Sequence, residues 1–217
     1  SAPEGTLNQD LVVYYRLAEN LPGRVDLLTY KASASEPGYF MMTLTPGIDL
    51  EPLQAGADYL FVLDLSGSMH GKISTLIAGL ERTLGQLRPE DRVNIVTFSD
   101  RARRLTHGWQ SLTPDNVRQL SGQIAQLTVG GSTNLYDGLR LGLSQLDADR
   151  ATNVILITDA VTNTGNLDPA QFHQLMKQHD VRLFGFLMGN SANWPLMRAI
   201  CDASDGFYTS VSTADDI

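Results

Sequence analysis

Asp64-Leu65-Ser66-Gly67-Ser68 follows directly on the apolar run Tyr59-Leu60-Phe61-Val62-Leu63, and this junction decides how the chain is read. An unbroken apolar run is what a strand covered on both faces needs. The loop leaving it carries one carboxylate and two hydroxyls. Two later pieces have matching chemistry: Thr133 in Gly130-Gly131-Ser132-Thr133-Asn134, and Asp159 ending Val154-Ile155-Leu156-Ile157-Thr158-Asp159. Asp64, Ser66, Ser68, Thr133 and Asp159 together read as an all-oxygen divalent metal site at one edge of an α/β sheet. Alternate residues of a D-x-S-x-S loop share a direction, so Asp64, Ser66 and Ser68 can converge. Oxygen donors in octahedral geometry suit Mg²⁺ or Mn²⁺, with Ca²⁺ as a further option, and Mg²⁺ commonly uses only one or two carboxylates. Hydroxyls bound directly leave the cation electron-poor. It then accepts one more anionic oxygen from outside the chain.

From Asp58 onward, strands and helices alternate, the pattern of a doubly wound, mostly parallel sheet. Strands are expected at 59–64, 92–98, 153–158, 181–187 and 206–210, with a short one near 103–106. Helices are expected at about 71–87, 114–127, 135–147, 169–178 and 193–203. Thr113-Pro114 and Asp168-Pro169 are cap-plus-proline starts. Ligands of such sheets bind at the carboxyl ends of the strands, near the point where strand order reverses. Asp64 and Asp159 both fall at strand carboxyl ends, and Thr133 lies on a loop entering a helix.

Residues 1–57 differ in character and are expected to form a β-rich extension, either the end of a larger β module or a piece packed on the main domain, ahead of an α/β domain at 58–217. Strand candidates run over 10–16, 24–30 and 39–44, separated by turn signals at Leu21-Pro22-Gly23 and Glu36-Pro37-Gly38.

Each piece of the site has a plainer reading when taken alone. Asp64 could simply cap the next helix; the other two pieces make that reading inadequate. Asp137 reads as a first-turn helix acid with a second-sphere role as the alternative, and Asn134 as a cap of the same helix. Ser132 competes with Thr133 for the metal, and His70 reads as a solvated loop residue beside the binding face. Gly67 to Gly71-Lys72-Ile73 superficially resembles a phosphate loop. It has one residue too few between the glycines, and Ile73 stands where Ser or Thr should bind magnesium. An aspartyl-phosphate site wants a second carboxylate where Ser66 stands, and no G-x-S-x-G elbow makes a serine nucleophilic. An enzyme is therefore not expected.

The bulk numbers agree with a binding protein. The chain has 217 residues, 42% hydrophobic and 18% charged, an ordinary globular composition. A net charge of −8 argues against a nucleic-acid partner, which needs clustered Lys and Arg. The short group Arg101, Arg103 and Arg104 reads as a solvated loop or edge strand. No apolar run reaches the roughly 18–20 residues of a membrane-spanning helix. Ser1-Ala2-Pro3-Glu4-Gly5 lacks the regions of a signal peptide, and the chain reads as a fragment. The single Cys201 excludes an internal disulfide and reads as a small buried residue.

D-x-S-x-S, then Thr, then Asp, each on its expected element, resembles the metal-ion-dependent adhesion site of von Willebrand factor type A domains, over about Asp58 to Ile217. The resemblance implies that Ser66, Ser68 and Thr133 contact the metal directly when ligand is bound. It implies that Asp64 and Asp159 act mostly through water, and that a glutamate or aspartate of a protein partner fills the open position. Asp159 is followed by Ala160 where many members have glycine. The β-rich lead into the metal-site strand is similar to inter-alpha-trypsin inhibitor heavy-chain-like proteins and their bacterial relatives. These likenesses imply a monomeric adhesion-type module acting outside the cytoplasm. The alternative they leave is an intracellular or envelope-complex adaptor, for instance beside an AAA+ ATPase, in which the metal is mainly structural.

Overall fold

The computed structural model describes residues 24–30, 33, 37–45, 56–147, 150–213 and 217. The chain divides into two compact units, Ser1–Leu53 and Gln54–Ile217. In the first, β1 (Arg24–Tyr30) and β2 (Tyr39–Thr45) pair antiparallel, with Arg24 opposite Thr45 and Tyr30 opposite Tyr39. Both strands match the candidates bounded by turn signals at 24–30 and 39–44; the strand expected at 10–16 lies outside the described residues.

The second unit is an α/β sandwich around a seven-stranded sheet. Its parallel strands are β3 (Asp58–Asp64), β4 (Arg92–Phe98), β7 (Thr152–Thr158), β8 (Arg182–Met188) and β9 (Phe207–Val211). Two short strands, β5 (Ala102–Arg104) and β6 (Gln110–Ser111), pair antiparallel with β4. One short strand near 103–106 was expected there. Pieces of two or three residues carry no readable periodicity, so the second escaped the sequence pattern.

The helices are α1 (Ile73–Gln86), α2 (Pro114–Ile124), α3 (Leu135–Leu143), α4 (Pro169–Lys177) and α5 (Trp194–Asp202). All five match expected elements, but several are shorter. α1 begins at Ile73 because Gly71 takes a positive φ of 78° in the turn before it. α3 stops at Leu143, where Gln145 and Leu146 donate to the carbonyls of Gly142 and Leu143 and tighten the chain into a turn. Thr113 and Asp168 cap α2 and α4 as expected, accepting from the Asn116 and Ala170 N–H groups.

Alternation along β3 builds two apolar layers. Leu60 and Val62 pack with Leu135, Leu139, Phe172 and Met197 of α3, α4 and α5. Phe61 and Leu63 face the other way, with Leu76, Leu80, Leu120 and Ile124 of α1 and α2. Each such side chain, fully buried, contributes about 1.5–3 kcal/mol of transfer free energy, which explains why the strands are continuous apolar runs. Cys201 is buried in the first layer, and burial pushes its thiol up to about 12.

Strand order is β5-β4-β3-β7-β8-β9. The chain leaves β3 for β4 on one side and returns to β7 on the other, so the order reverses between β3 and β7. That reversal opens a crevice at their carboxyl ends. At the opposite end, Arg92 grips the fully buried Asp58 with two bonds of 2.9 and 2.7 Å, locking β4 to β3.

Candidate metal centre

Three loops meet where β3 and β7 end. The first leaves β3 through Asp64 and forms a short 3-10 turn over Gly67–Met69. Asp64 accepts the Ser66 N–H at 2.8 Å with one oxygen and the Thr158 hydroxyl at 2.5 Å with the other. Ser66 and Ser68 bring their hydroxyls within 3.1 Å of one another. Alternate residues of the loop therefore do converge.

The second loop, Gly130–Asn134, is stitched to the first by backbone. Gly67 donates to the Gly131 carbonyl at 3.0 Å, and Gly130 to the Leu65 carbonyl at 2.8 Å. Gly131 needs its freedom: φ is 80°, and a Cβ there would overlap the Asp100 carboxylate. Thr133 is held by its main chain. Its N–H donates to Asn163 Oδ1 at 2.9 Å, and its carbonyl accepts from Asn163, Thr164 and the Thr162 hydroxyl. The Thr133 hydroxyl takes part in none of these bonds.

The third loop leaves β7 through Asp159. Its carboxylate accepts the Val161 N–H at 3.1 Å and pairs with the Lys72 ammonium at 3.0 Å. Asp64, Ser66, Thr133 and Asp159 are all buried, whereas Ser68 is exposed. Burial raises the Asp64 carboxyl above the ordinary carboxylate range, and nearby Asp159 adds to the rise against the bonds from Ser66 and Thr158. Two buried carboxylates thus repel one another here, an arrangement that positive charge relieves.

The donor set suits a hard divalent cation. Among the described residues no cluster of three or more His, Cys, Asp or Glu side chains could cage a metal. Any ion here depends on hydroxyl oxygens supplementing two carboxylates, a set fit for Mg²⁺ or Mn²⁺. The Lys72 ammonium on Asp159 marks a place where the fold already stabilises a cation.

Other residues singled out in the sequence fall elsewhere. Asn134 caps α3 by accepting from Asp137 N–H at 3.2 Å. Asp137 accepts from the Ala102 N–H and pairs with Arg140, so it ties α3 to β5. Ser132 gives both its N–H and its hydroxyl to Asp100, which these bonds, with Arg101 and Arg103 beside them, hold below the usual carboxylate range. His70 is exposed at the end of the turn. Lys72, Thr158, Asp100 and Asn163 were missed. Thr158 had a signal, a hydroxyl closing an otherwise apolar strand. Asp100 and Asn163 had none, because tertiary pairing alone brings them to the site.

Comparison with known proteins gives the family. The family model for the von Willebrand factor type A domain matches residues 57–210, and the chain belongs to that family. Inter-alpha-trypsin inhibitor heavy chain H3 of Homo sapiens is 26% identical over 227 residues, covering 98% of this chain and 24% of the relative. The chain thus spans about a quarter of the length of such curated relatives. A von Willebrand factor type A structure from Catenulispora acidiphila superposes with a TM-score of 0.70 at 14% identity, over 94% of this chain and 49% of that one. Proximal thread matrix protein 1 of the mussel byssus, solved with zinc in its metal-ion-dependent adhesion site, gives a TM-score of 0.61 at 20% identity, over 75% of this chain and 43% of its own.

Proposed function

We propose that this domain is a divalent-metal-dependent protein-binding module, not an enzyme, and that it works as a monomer outside the cytoplasm. The observation that supports it best is the oxygen-rich crevice: the buried Asp64 and Asp159 carboxylates beside the paired Ser66 and Ser68 hydroxyls, with the buried Thr133 on the loop stitched to them. Ser66, Ser68 and Thr133 are the direct ligands, with Asp64 and Asp159 behind them holding charge. When bound, the cation supplies a Lewis-acidic position for a glutamate or aspartate of a protein partner. Each carboxylate of the site is already fixed by protein donors, Asp64 by Ser66 and Thr158, Asp159 by Val161 and Lys72. That pre-organisation limits the ordering cost of binding. Membership of the family supports a role in protein interaction, and the zinc held at the corresponding site of the mussel protein supports a divalent ion.

The test is a thermal melt of wild type and Asp64→Ala, each with chelator and with excess Mg²⁺ or Mn²⁺. At free metal 100-fold above its dissociation constant, linkage gives about 2.7 kcal/mol, which for a domain of this size raises Tm by roughly 5–10 °C. A shift present in wild type and lost in Asp64→Ala supports the site. No shift, with a flat direct titration, sinks it. A melt shift without any metal-dependent binding of acidic protein would leave the ion a structural role.

A further inference from the structure

Lys72 is built into the site from three sides. Its N–H donates to Met69 at 2.9 Å, closing the turn that carries Ser68. Its ammonium reaches Asp159 Oδ2 at 3.0 Å, where the carboxylate is only 2% exposed and the lysine 24%. Its side chain lies along Gly189 at the end of β8, where φ is 93° and a Cβ would come within 2.9 Å of the lysine Cε. Gly189 is required by its own positive φ, and the lysine stem passes close beside it. In a phosphate loop the lysine that Lys72, after Gly71, resembles would serve a phosphate; here it meets Asp159 of the metal crevice.

We propose that Lys72 sets the partner specificity of the metal site by keeping the loaded site one unit positive, so that an incoming carboxylate completes neutrality. The inference rests on the metal reading above. Asp64 and Asp159 together balance a divalent ion. Without Lys72 the loaded crevice would be formally neutral, and an anion would be held by the cation's open position alone. With Lys72 it carries one uncompensated positive charge in a low-dielectric setting, where unlike charges attract far more strongly than in water. At the rim, Arg101 and Arg103 already offset Asp100, so that acid does not cancel the effect. The cost falls on the empty site: the ammonium opposes entry of the metal cation. Lys72 therefore weakens metal binding and strengthens carboxylate binding. This pairing of opposite effects keeps the domain selective for an acidic partner although its own net charge is −8.

The test uses Lys72→Met, which keeps the stem and removes the charge, and Lys72→Arg, which keeps the charge. Mn²⁺ affinity is measured by calorimetry. Carboxylate affinity is measured by titrating acetate and following loss of water-proton relaxivity of the protein-bound Mn²⁺, with far-ultraviolet dichroism confirming the fold. Lys72→Met should bind Mn²⁺ about three- to tenfold tighter and acetate about three- to tenfold weaker, the range expected of one charge at partly screened short distance. Lys72→Arg should stay near wild type in both. Tighter Mn²⁺ with unchanged acetate would make Lys72 a simple competitor and overturn the proposal, as would two shifts of the same sign. If wild type binds no Mn²⁺, the metal reading falls and this inference with it. If wild type binds and Lys72→Met matches it, only the inference falls.

Discussion

The Thr158 hydroxyl donates to Asp64 Oδ2 at 2.5 Å across the gap between the ends of β7 and β3. An ionised carboxylate can only accept, so the hydroxyl is the donor, and its oxygen in turn accepts the Ala160 N–H at 2.8 Å. One hydroxyl therefore orients a carboxylate of the metal site and closes the turn that carries the other. Thr158→Val keeps the shape and removes both bonds. Loss of an outer partner of this kind costs about 10- to 100-fold in metal affinity, and the orphaned Ala160 N–H costs about 1–3 kcal/mol of stability. Isothermal titration with Mn²⁺ and a urea melt check the two effects separately. Unchanged Mn²⁺ affinity would show that Asp64 needs no such orientation.

Thr133 separates scaffold from ligand within one residue. Its main chain binds Asn163, Thr162 and Thr164, and its hydroxyl is outside that network. Thr133→Ala should leave the urea midpoint close to wild type. It should weaken Mn²⁺ roughly 10- to 100-fold, the size of one lost polar bond to a charged group. Thr133→Ser should recover most of the affinity. Equal affinity in the Ala and Ser variants would shift the ligand role to Ser132, which the structure ties to Asp100.

The fold was legible in this sequence because both-face burial turns each parallel strand into an unbroken apolar run. Leu60 to Leu63 and Val154 to Ile157 show it, and proline-marked starts such as Thr113-Pro114 place the helices. Of the five residues proposed for the site, Asp64 and Asp159 could be placed from the sequence because each ends an apolar strand, and Ser66, Ser68 and Thr133 because they lie on loops that such a topology brings to the same edge. Lys72 was visible only as the lysine of a failed phosphate loop. Nothing local announces that a helix-entry lysine will meet an aspartate 87 residues away. Asp100 and Asn163 were hidden for the same reason. β6 and the ends of α1 and α3 were lost to turn geometry, which residue periodicity does not record.

Ala160 occupies a position with φ of 55°, in the left-handed region, and is fully buried. A family glycine at this place fits that dihedral, so the alanine is a local strain. Relief of that strain in Ala160→Gly, about 1–2 kcal/mol, is offset by greater backbone entropy and by the lost methyl, together of similar size. The substitution should leave stability within about 1 kcal/mol of wild type and leave Mn²⁺ affinity intact. Ala160→Val should behave differently: a β-branched residue is an outlier at positive φ, and overpacking adds about 1–3 kcal/mol. Denaturant midpoints of the pair decide the matter. A valine variant as stable as wild type would mean that the loop is free to change conformation.

Asp91 gives the fold a specific acid sensitivity far from the metal. Burial would raise its carboxyl, but the Arg88 guanidinium and the N–H groups of Ala57 and Arg88 outweigh it and hold it below the usual range. Those bonds are 2.9–3.0 Å long for the two N–H groups and Arg88 Nη2. A carboxyl with a lowered folded value stabilises above its unfolded value and loses that contribution as pH falls through the folded one. The window lies below about pH 4, the ordinary aspartate value. At pH 7, Asp91→Ala removes the charge-assisted bonds to Ala57 and Arg88 and should cost about 1–3 kcal/mol. The gap between wild type and variant should narrow as pH drops below about 4. Urea melts at pH 7, 5, 4 and 3 follow it, and a gap that stayed constant over that range would show that the Asp91 bonds do not depend on its ionised form.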